Sequence, residues 1–203
     1  SLYGYKINDI TLLKQCKNLI TLQLTEISIS DISALKGRTK RSVLWLDGNQ
    51  ISDIKPLSDL TNLEQLYLSN NPIINVKPLK KFSNLLLLDL TNTEIQDITS
   101  IKELGKLTHL YLSSTQIENI AAVENLKNLR LLGITNTKVR DLEPLKDLSN
   151  LESLFFSSTN VENLVSIKGL KNLRVLSFKD TNIDNLEPLR ELSNLEKLII
   201  QNT

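Results

Sequence analysis

Apolar residues recur along this chain in a fixed frame. From Leu19 onward, a segment of the form L-x-x-L-x-L returns at 41, 63, 85, 107, 129, 151, 173 and 195, a spacing of 22 residues each time with no insertion or deletion. One unit reads "LEQLYLSNNPIINVKPLKKFSN" (63–84) and another "LRLLGITNTKVRDLEPLKDLSN" (129–150). The shared frame is L-x-x-L-x-L-x-x-T/N-x-I-x-D/N-I/L-x-P/S/A-L-x-x-L-x-N.

Each position in the frame predicts local structure. Unit positions 4 and 6, such as Leu66 and Leu68, alternate with polar or variable residues, as on a short strand with one buried face. Positions 11, 14, 17 and 20, such as Ile95, Ile98, Ile101 and Leu104, are apolar at a spacing of three. That spacing predicts a tight, 3₁₀-like return. Position 13 is Asp or Asn in every unit that contains it, from Asp31 and Asp53 to Asn163 and Asn185, and can cap the amides of the turn that follows. Pro56, Pro78, Pro144 and Pro188 fall in that first turn, where proline is tolerated. Asn closes most units (Asn62, Asn84, Asn128, Asn150, Asn172, Asn194) and can satisfy backbone groups at the return to the strand. Such a unit cannot bury its own apolar face. Stacked neighbours can, which puts the strands into one parallel sheet along the inside of a curve.

This pattern resembles the leucine-rich-repeat family, in its bacterial 22-residue, internalin-like form. The resemblance covers essentially the whole chain. It implies an α/β fold: a right-handed solenoid with a parallel inner sheet and short 3₁₀ or irregular returns on the outer side. One departure stands out. The family's asparagine at position 9 is present at Asn49 and Asn71, but Thr93, Thr115, Thr137, Thr159, Thr181 and Thr203 replace it thereafter. A hydroxyl serves fewer backbone groups than an amide, so a hydroxyl ladder is expected there. Residues 1–203 are expected to form a single repeat domain. Both ends fall within a unit and no polar cap is recognisable, as in a repeat region cut from a longer protein. A 44-residue sub-period also emerges: "SST" recurs at 113–115 and 157–159, and "LEPL" at 142–145 and 186–189.

Positions 3 and 5 of each unit point away from the core. Position 5 carries Trp45, Tyr67, Tyr111 and Phe155, four of the nine aromatic residues in the chain. Position 3 carries Val43, Leu87, His109, Leu131 and Val175. With strands about 4.8 Å apart, these groups form an apolar stripe roughly 30 Å long. Exposed apolar surface of this kind marks an interaction site; strand propensity with self-packing is the alternative source of the same residues. The stripe is the candidate partner-binding site.

Charge and chemistry change little. Lys+Arg (24) nearly cancel Asp+Glu (23), which gives no general attraction to nucleic acid or anionic membrane. No apolar run reaches the length of a membrane span, and the first residues are not expected to form a signal peptide. Bacterial cell-surface, secreted and cytoplasmic placements all stay open. The single His109 has no Cys or second His beside it for zinc. Ser113, Ser114 and Asp89 could be imagined around it as a catalytic arrangement, but Ser and Thr saturate these positions for repeat reasons. Cys16 occupies a core leucine slot and is expected to be a buried structural thiol. No cofactor is implied, and a protein partner is favoured over a small molecule. Two roles follow from the resemblance: a non-catalytic recognition module gripping a protein through its concave sheet, or a regulatory or scaffolding segment of a larger enzyme, similar to the leucine-rich regulators of protein phosphatase 1 or to Roco GTPases.

One stretch breaks the frame. In "LKGRTKRSVLWLDGN" (35–49), Arg38 and Arg41 replace two core apolar residues, although Leu44 and Leu46 keep the register. The return from Gly37 to Ser42 is therefore expected to loosen and release both guanidiniums to solvent. The segment is either a degenerate unit near one end of the array or a basic patch of Lys36, Arg38, Lys40 and Arg41 for an acidic partner.

Overall fold

The structure, a computed structural model, describes residues 9–16, 18–40 and 42–203. Nine strands form one parallel sheet in sequence order: β1 (Thr21–Gln23), β2 (Val43–Trp45), β3 (Gln65–Tyr67), β4 (Leu87–Asp89), β5 (His109–Tyr111), β6 (Leu131–Gly133), β7 (Ser153–Phe155), β8 (Val175–Lys179) and β9 (Lys197–Gln201). Register advances by one unit at every step, so that Leu44 pairs with Leu66, Leu66 with Leu88 and Leu88 with Leu110. Short 3₁₀ returns connect the strands, among them Ser33–Leu35, Lys77–Lys81, Thr99–Glu103 and Glu187–Glu191. The helical component of the described residues consists wholly of such returns.

The frame accounts for the core. In the unit at 63–84, Leu63, Leu66, Leu68, Ile73, Val76, Leu79 and Phe82 are all buried, and the same positions are buried in the four units that follow. Phe156 and Phe178 substitute for leucine and stack on each other inside the core, with ring centroids 5.4 Å apart. The 44-residue sub-period does not govern the returns: three-residue returns occur at Ser33–Leu35, Lys55–Leu57, Glu143–Leu145 and Val165–Ile167, and five-residue returns between and after them.

Polar positions tie the units down as their spacing predicts. Asp31, Asp53, Asn75, Asp97, Asn119, Asp141, Asn163 and Asn185 each accept a hydrogen bond from the backbone N–H two residues on, at the start of the return. The four prolines occupy the first positions of their returns. The closing asparagines reach back into the preceding unit. Asn62 donates to the Thr39 carbonyl, Asn128 to Gly105, Asn150 to Lys127 and Asn172 to Ser149, each at 2.7–2.8 Å.

The exchange of asparagine for threonine has a clear structural consequence. Asn71 is buried, accepts from the Ile51 N–H of the preceding unit at 3.0 Å, and donates to the carbonyls of Leu46, Leu68 and Ser69. Asn49 does the same, bonding to Leu24 and Ile29 of the unit before it. Thr93, Thr115, Thr137 and Thr159 each donate only to the carbonyl three residues earlier in their own unit, at 2.7 Å. The hydroxyls therefore form a row of separate contacts that do not link units. Thr181 is buried and its hydroxyl has no partner.

Position 8 escaped the reading of the sequence. Glu26, Gly48, Asn70, Asn92, Ser114, Asn136, Ser158, Asp180 and Asn202 all adopt left-handed φ, between 52° and 67°. This turn ends each strand. Gly, Asn and Asp are the residues that most easily tolerate it, and their recurrence at six of these nine positions was the available signal. At Gly48 space matters as well, because a Cβ there would lie 2.7 Å from Cγ of Glu26.

Two expectations need correction near the start of the array. Cys16 is exposed. Its return, Thr11–Gln15, buries none of its residues. Among the described residues that return has a stacked neighbour on one side only, so the leucine slot there is not enclosed. Arg38 does not swing free to solvent. It is half-buried, its guanidinium donates to the Lys14 carbonyl, and its buried Nε has no partner among the described residues. Lys40 likewise donates to Asn18 Oδ1 at 3.1 Å. The return does change course, as its polarity requires. Lys36 is extended (ψ 135°) where the matching Ser58, Lys146 and Lys168 are helical, and Gly37 takes φ 70°. Arg41 lies outside the described residues.

The unequal surroundings of the threonines are measurable. Thr137→Val should cost about 1 kcal/mol by orphaning the Ile134 carbonyl, whereas Thr181→Val should be neutral or stabilising; urea midpoints of both variants check this. Equal losses would mean that the Thr181 hydroxyl is satisfied after all. Arg38→Leu removes an unpaired buried N–H and adds apolar cover. It should raise stability by about 1 kcal/mol in the same assay, and a loss would show that the bond to Lys14 matters more.

Candidate partner-binding face

The sheet face opposite the buried leucines is built from unit positions 3, 5 and 7. Alternation along each three-residue strand produces it. In β2, Leu44 is fully buried while Val43 and Trp45 on either side are half-buried, and β3, β4, β5 and β7 repeat the pattern. All nine sequence-derived candidates lie on this face: Val43, Leu87, His109, Leu131 and Val175 at position 3, and Trp45, Tyr67, Tyr111 and Phe155 at position 5. They are half-buried and not fully exposed, because side chains one strand apart shield one another. Among the described residues, the most exposed large apolar ones lie elsewhere, at Leu12, Ile74, Ile20 and Val165.

Lateral contacts organise the aromatics. Trp45 and Tyr67 stack, with centroids 5.6 Å apart and rings inclined by 15°. The Tyr67 hydroxyl lies 3.2 Å from Gln65 Oε1, to which it donates. Tyr111 leans over Gly133, whose missing Cβ would sit 3.7 Å from the ring. Gly133 and Ser177 are buried although they share the outward column, since larger neighbours cover them. The stripe is thus interrupted at Asp89, Gly133 and Ser177, and its aromatic part is concentrated in the first half of the sheet. His109 pairs through Nδ1 with the Thr108 hydroxyl at 2.9 Å. Among the described residues, no hydrogen bond joins it to Ser113, Ser114 or Asp89.

Two carboxylates complete the face. Asp89 stands between Tyr67 and Tyr111 in the register. Asp47, at position 7, holds the backbone N–H and the hydroxyl of Ser69 at 3.1 and 2.9 Å. Burial pushes the Asp89 carboxyl above its ordinary range; the Thr91 N–H, donating at 2.9 Å, opposes this, and Asp47 adds to it. Burial also raises the Tyr67 phenol, with Asp47 and Asp89 reinforcing it, and raises Tyr111 in the same way through Asp89. Asp47 was missed because position 7 was not read as part of the face. It continues the alternation of positions 3 and 5, which was the signal available. The basic segment does not join this site: among its described cations, Arg38 and Lys40 bind the preceding return.

The raised Asp89 carboxyl fixes the sign of a pH effect. A folded-state pKa above the unfolded value means that the native state holds the proton more tightly, so stability falls as pH rises through that window. The charge is then a full penalty above the folded pKa. Asp89→Asn retains the acceptor for Thr91 and should raise the urea midpoint at neutral pH. The gain should close as pH falls below about 3, where the wild-type carboxyl is protonated in both states. A gain that persists unchanged in acid would show that charge is not its source.

Comparison with known proteins places this architecture. The model for "Leucine Rich repeats (2 copies)" matches residues 42–81, 61–103 and 105–147. The structure of internalin C2 from Listeria monocytogenes is 34% identical with a TM-score of 0.89, covering 92% of this chain and 83% of that one. Internalin F from the same organism is 26% identical, with a TM-score of 0.80 over 95% of this chain and 64% of its own. A leucine-rich-repeat protein of Leptospira interrogans, 24% identical with a TM-score of 0.85, shares the fold over 92% of this chain and 50% of its own. The chain therefore spans about half to two thirds of the length of the latter two. No curated protein sequence matches it. The unbroken 22-residue frame, the nine-stranded parallel sheet with 3₁₀ returns and these likenesses together make the chain a member of the leucine-rich-repeat family, of the internalin-like type.

Proposed function

We propose that residues 1–203 act as one non-catalytic recognition domain that binds a protein partner through the concave sheet face. Leucine-rich repeats are typically modules of protein–protein interaction, and proteins of this fold commonly bind protein partners. The observation that carries the reading here is the concentration of aromatics on one face. Trp45, Tyr67, Tyr111 and Phe155 stand half-buried in one column, in a chain with only nine aromatics in all. A stacked Trp–Tyr pair is a rigid, amphipathic anchor of the kind that dominates interface energetics. The returns offer less: their caps and asparagines are engaged with backbone, and the exposed Ile74 and Val165 are isolated.

The nine candidates divide by role under this reading. Trp45, Tyr67, Tyr111 and Phe155 supply anchors, Val43, Leu87, Leu131 and Val175 supply the apolar floor between them, and His109 adds a polar contact. Peptides selected from a random displayed library on the wild-type chain test it. Tyr67→Ala with Tyr111→Ala should weaken their binding at least about tenfold, while Ile74→Ala with Val165→Ala should leave it unchanged. The tyrosine variant should lose only about 1–2 kcal/mol of stability, since the rings lie outside the leucine core. Binding that ignores the tyrosines, or global unfolding of the tyrosine variant, would sink the proposal.

A further inference from the structure

The candidate face carries a charge pattern that the chain as a whole does not. Lys+Arg number 24 against 23 Asp+Glu. Yet the only acidic residues at positions 3, 5 and 7 are Asp47 and Asp89, in the second and fourth units, and the only Lys or Arg residues there are Lys179 and Lys197, in the last two. The aromatic half of the face is therefore acidic. Lys179 stands four strand spacings from Asp89, about 19 Å, which is well beyond the screening length of about 8 Å at physiological salt.

Both carboxylates are held by neutral donors only. Asp47 accepts from Ser69 and Asp89 from Thr91. The five ion pairs among the described residues, such as Arg130–Glu152 and Arg174–Glu196, use neither of them. Asp89 ends β4 and Asp47 follows β2 by two residues, two strand spacings or about 10 Å away across the sheet, with the Tyr67 strand between. Trp45 stacks on one side of this arrangement, and Tyr111 follows Asp89 on the other. Covering this surface with a neutral or acidic partner would desolvate two carboxylates without compensation. Aromatic faces and carboxylates side by side suit a planar cation, which stacks on the ring and donates at its edges. Among the described residues no group of three or more His, Cys, Asp or Glu side chains is placed to hold a metal ion, so the cation called for is organic.

We infer that the face from Trp45 to Tyr111 docks a basic segment of the protein partner, with an arginine guanidinium lying over Tyr67 between Asp47 and Asp89. The inference rests on the reading of this face as the recognition surface and adds the chemistry of what it recognises. The probe is a displayed library of random twelve-residue peptides, selected on the wild-type chain and followed by synthesis of the selected sequences. Selected peptides should be enriched in arginine. Their affinity should fall at least about tenfold when that arginine becomes glutamine, and equally on Asp47→Asn with Asp89→Asn. The asparagines preserve the acceptors for Ser69 and Thr91, and an unchanged or raised melting temperature verifies the fold. Peptides that lack basic enrichment and bind the asparagine variant as well as wild type, yet depend on Tyr67 and Tyr111, overturn this inference and leave the face as a recognition surface. Peptides indifferent to the aspartates and the tyrosines alike overturn both.

Discussion

The structure depends on a single constraint: the leucines of one unit are covered only by the units beside it. Leu176 and Leu198 occupy the same position of successive units. Leu176 is fully buried in the interior of the array, whereas Leu198, in the last strand, is 42% exposed. The same contrast separates the buried Leu60, Phe82 and Leu104 of the interior from the exposed Cys16 in the same column near the start. Because cover comes from the neighbour, a shift in register would uncover every leucine at once, and the 22-residue step is held throughout the sheet. A fixed step turns each position of the unit into a column, so face chemistry becomes a question of what one column carries from strand to strand.

That regularity explains which parts of the molecule were legible in the sequence. The strands, returns, caps and buried positions follow from hydrophobic spacing, since the same local demand is repeated in every unit. Asp53 caps its return as Asn185 does, because the turn presents the same N–H each time. The left-handed turn at position 8 was equally periodic, but Asn, Ser, Asp and Gly are common in loops for several reasons, and φ is not visible in residue type alone. The misjudged sites, Cys16 and Arg38, lie where periodicity fails. At Cys16 the frame supplied the right slot but not the neighbour needed to enclose it. At Arg38 the unfavourable burial of a guanidinium was anticipated, but not that the Lys14 carbonyl would hold it against the preceding return.

The candidate face was legible as a column and not as an environment. Positions 3 and 5 could be enumerated, and strand alternation puts all nine candidates on the outward face, but their half-burial comes from side chains one strand apart. The stack of Trp45 on Tyr67, the leaning of Tyr111 over Gly133 and the approach of Asp47 are lateral contacts between units. They depend on rotamers and on which column lies next to which, information that a unit-by-unit reading discards.

The two ends of the array are joined by different means. Asn49 and Asn71 bridge units through buried amides, so the first part of the sheet is tied by directional bonds as well as by leucine packing. From Thr93 onward the hydroxyl serves only its own unit, and cohesion passes to apolar contacts, to the closing asparagines and, at Phe156 and Phe178, to stacked rings. The acidic, aromatic surface overlies the amide-bridged part and its junction with the threonine row. A half-buried carboxylate such as Asp89 is unfavourable within a sheet, and the raised carboxyl pKa records that cost. Asp47 shares its unit with the bridging Asn49, whereas Asp89 shares its unit with Thr93, where buried Leu88 and Leu90 hold the strand in place. The leucine ladder therefore leaves the outward column free to hold groups that weaken the fold, as it does at Asp89 in the first unit of the threonine row.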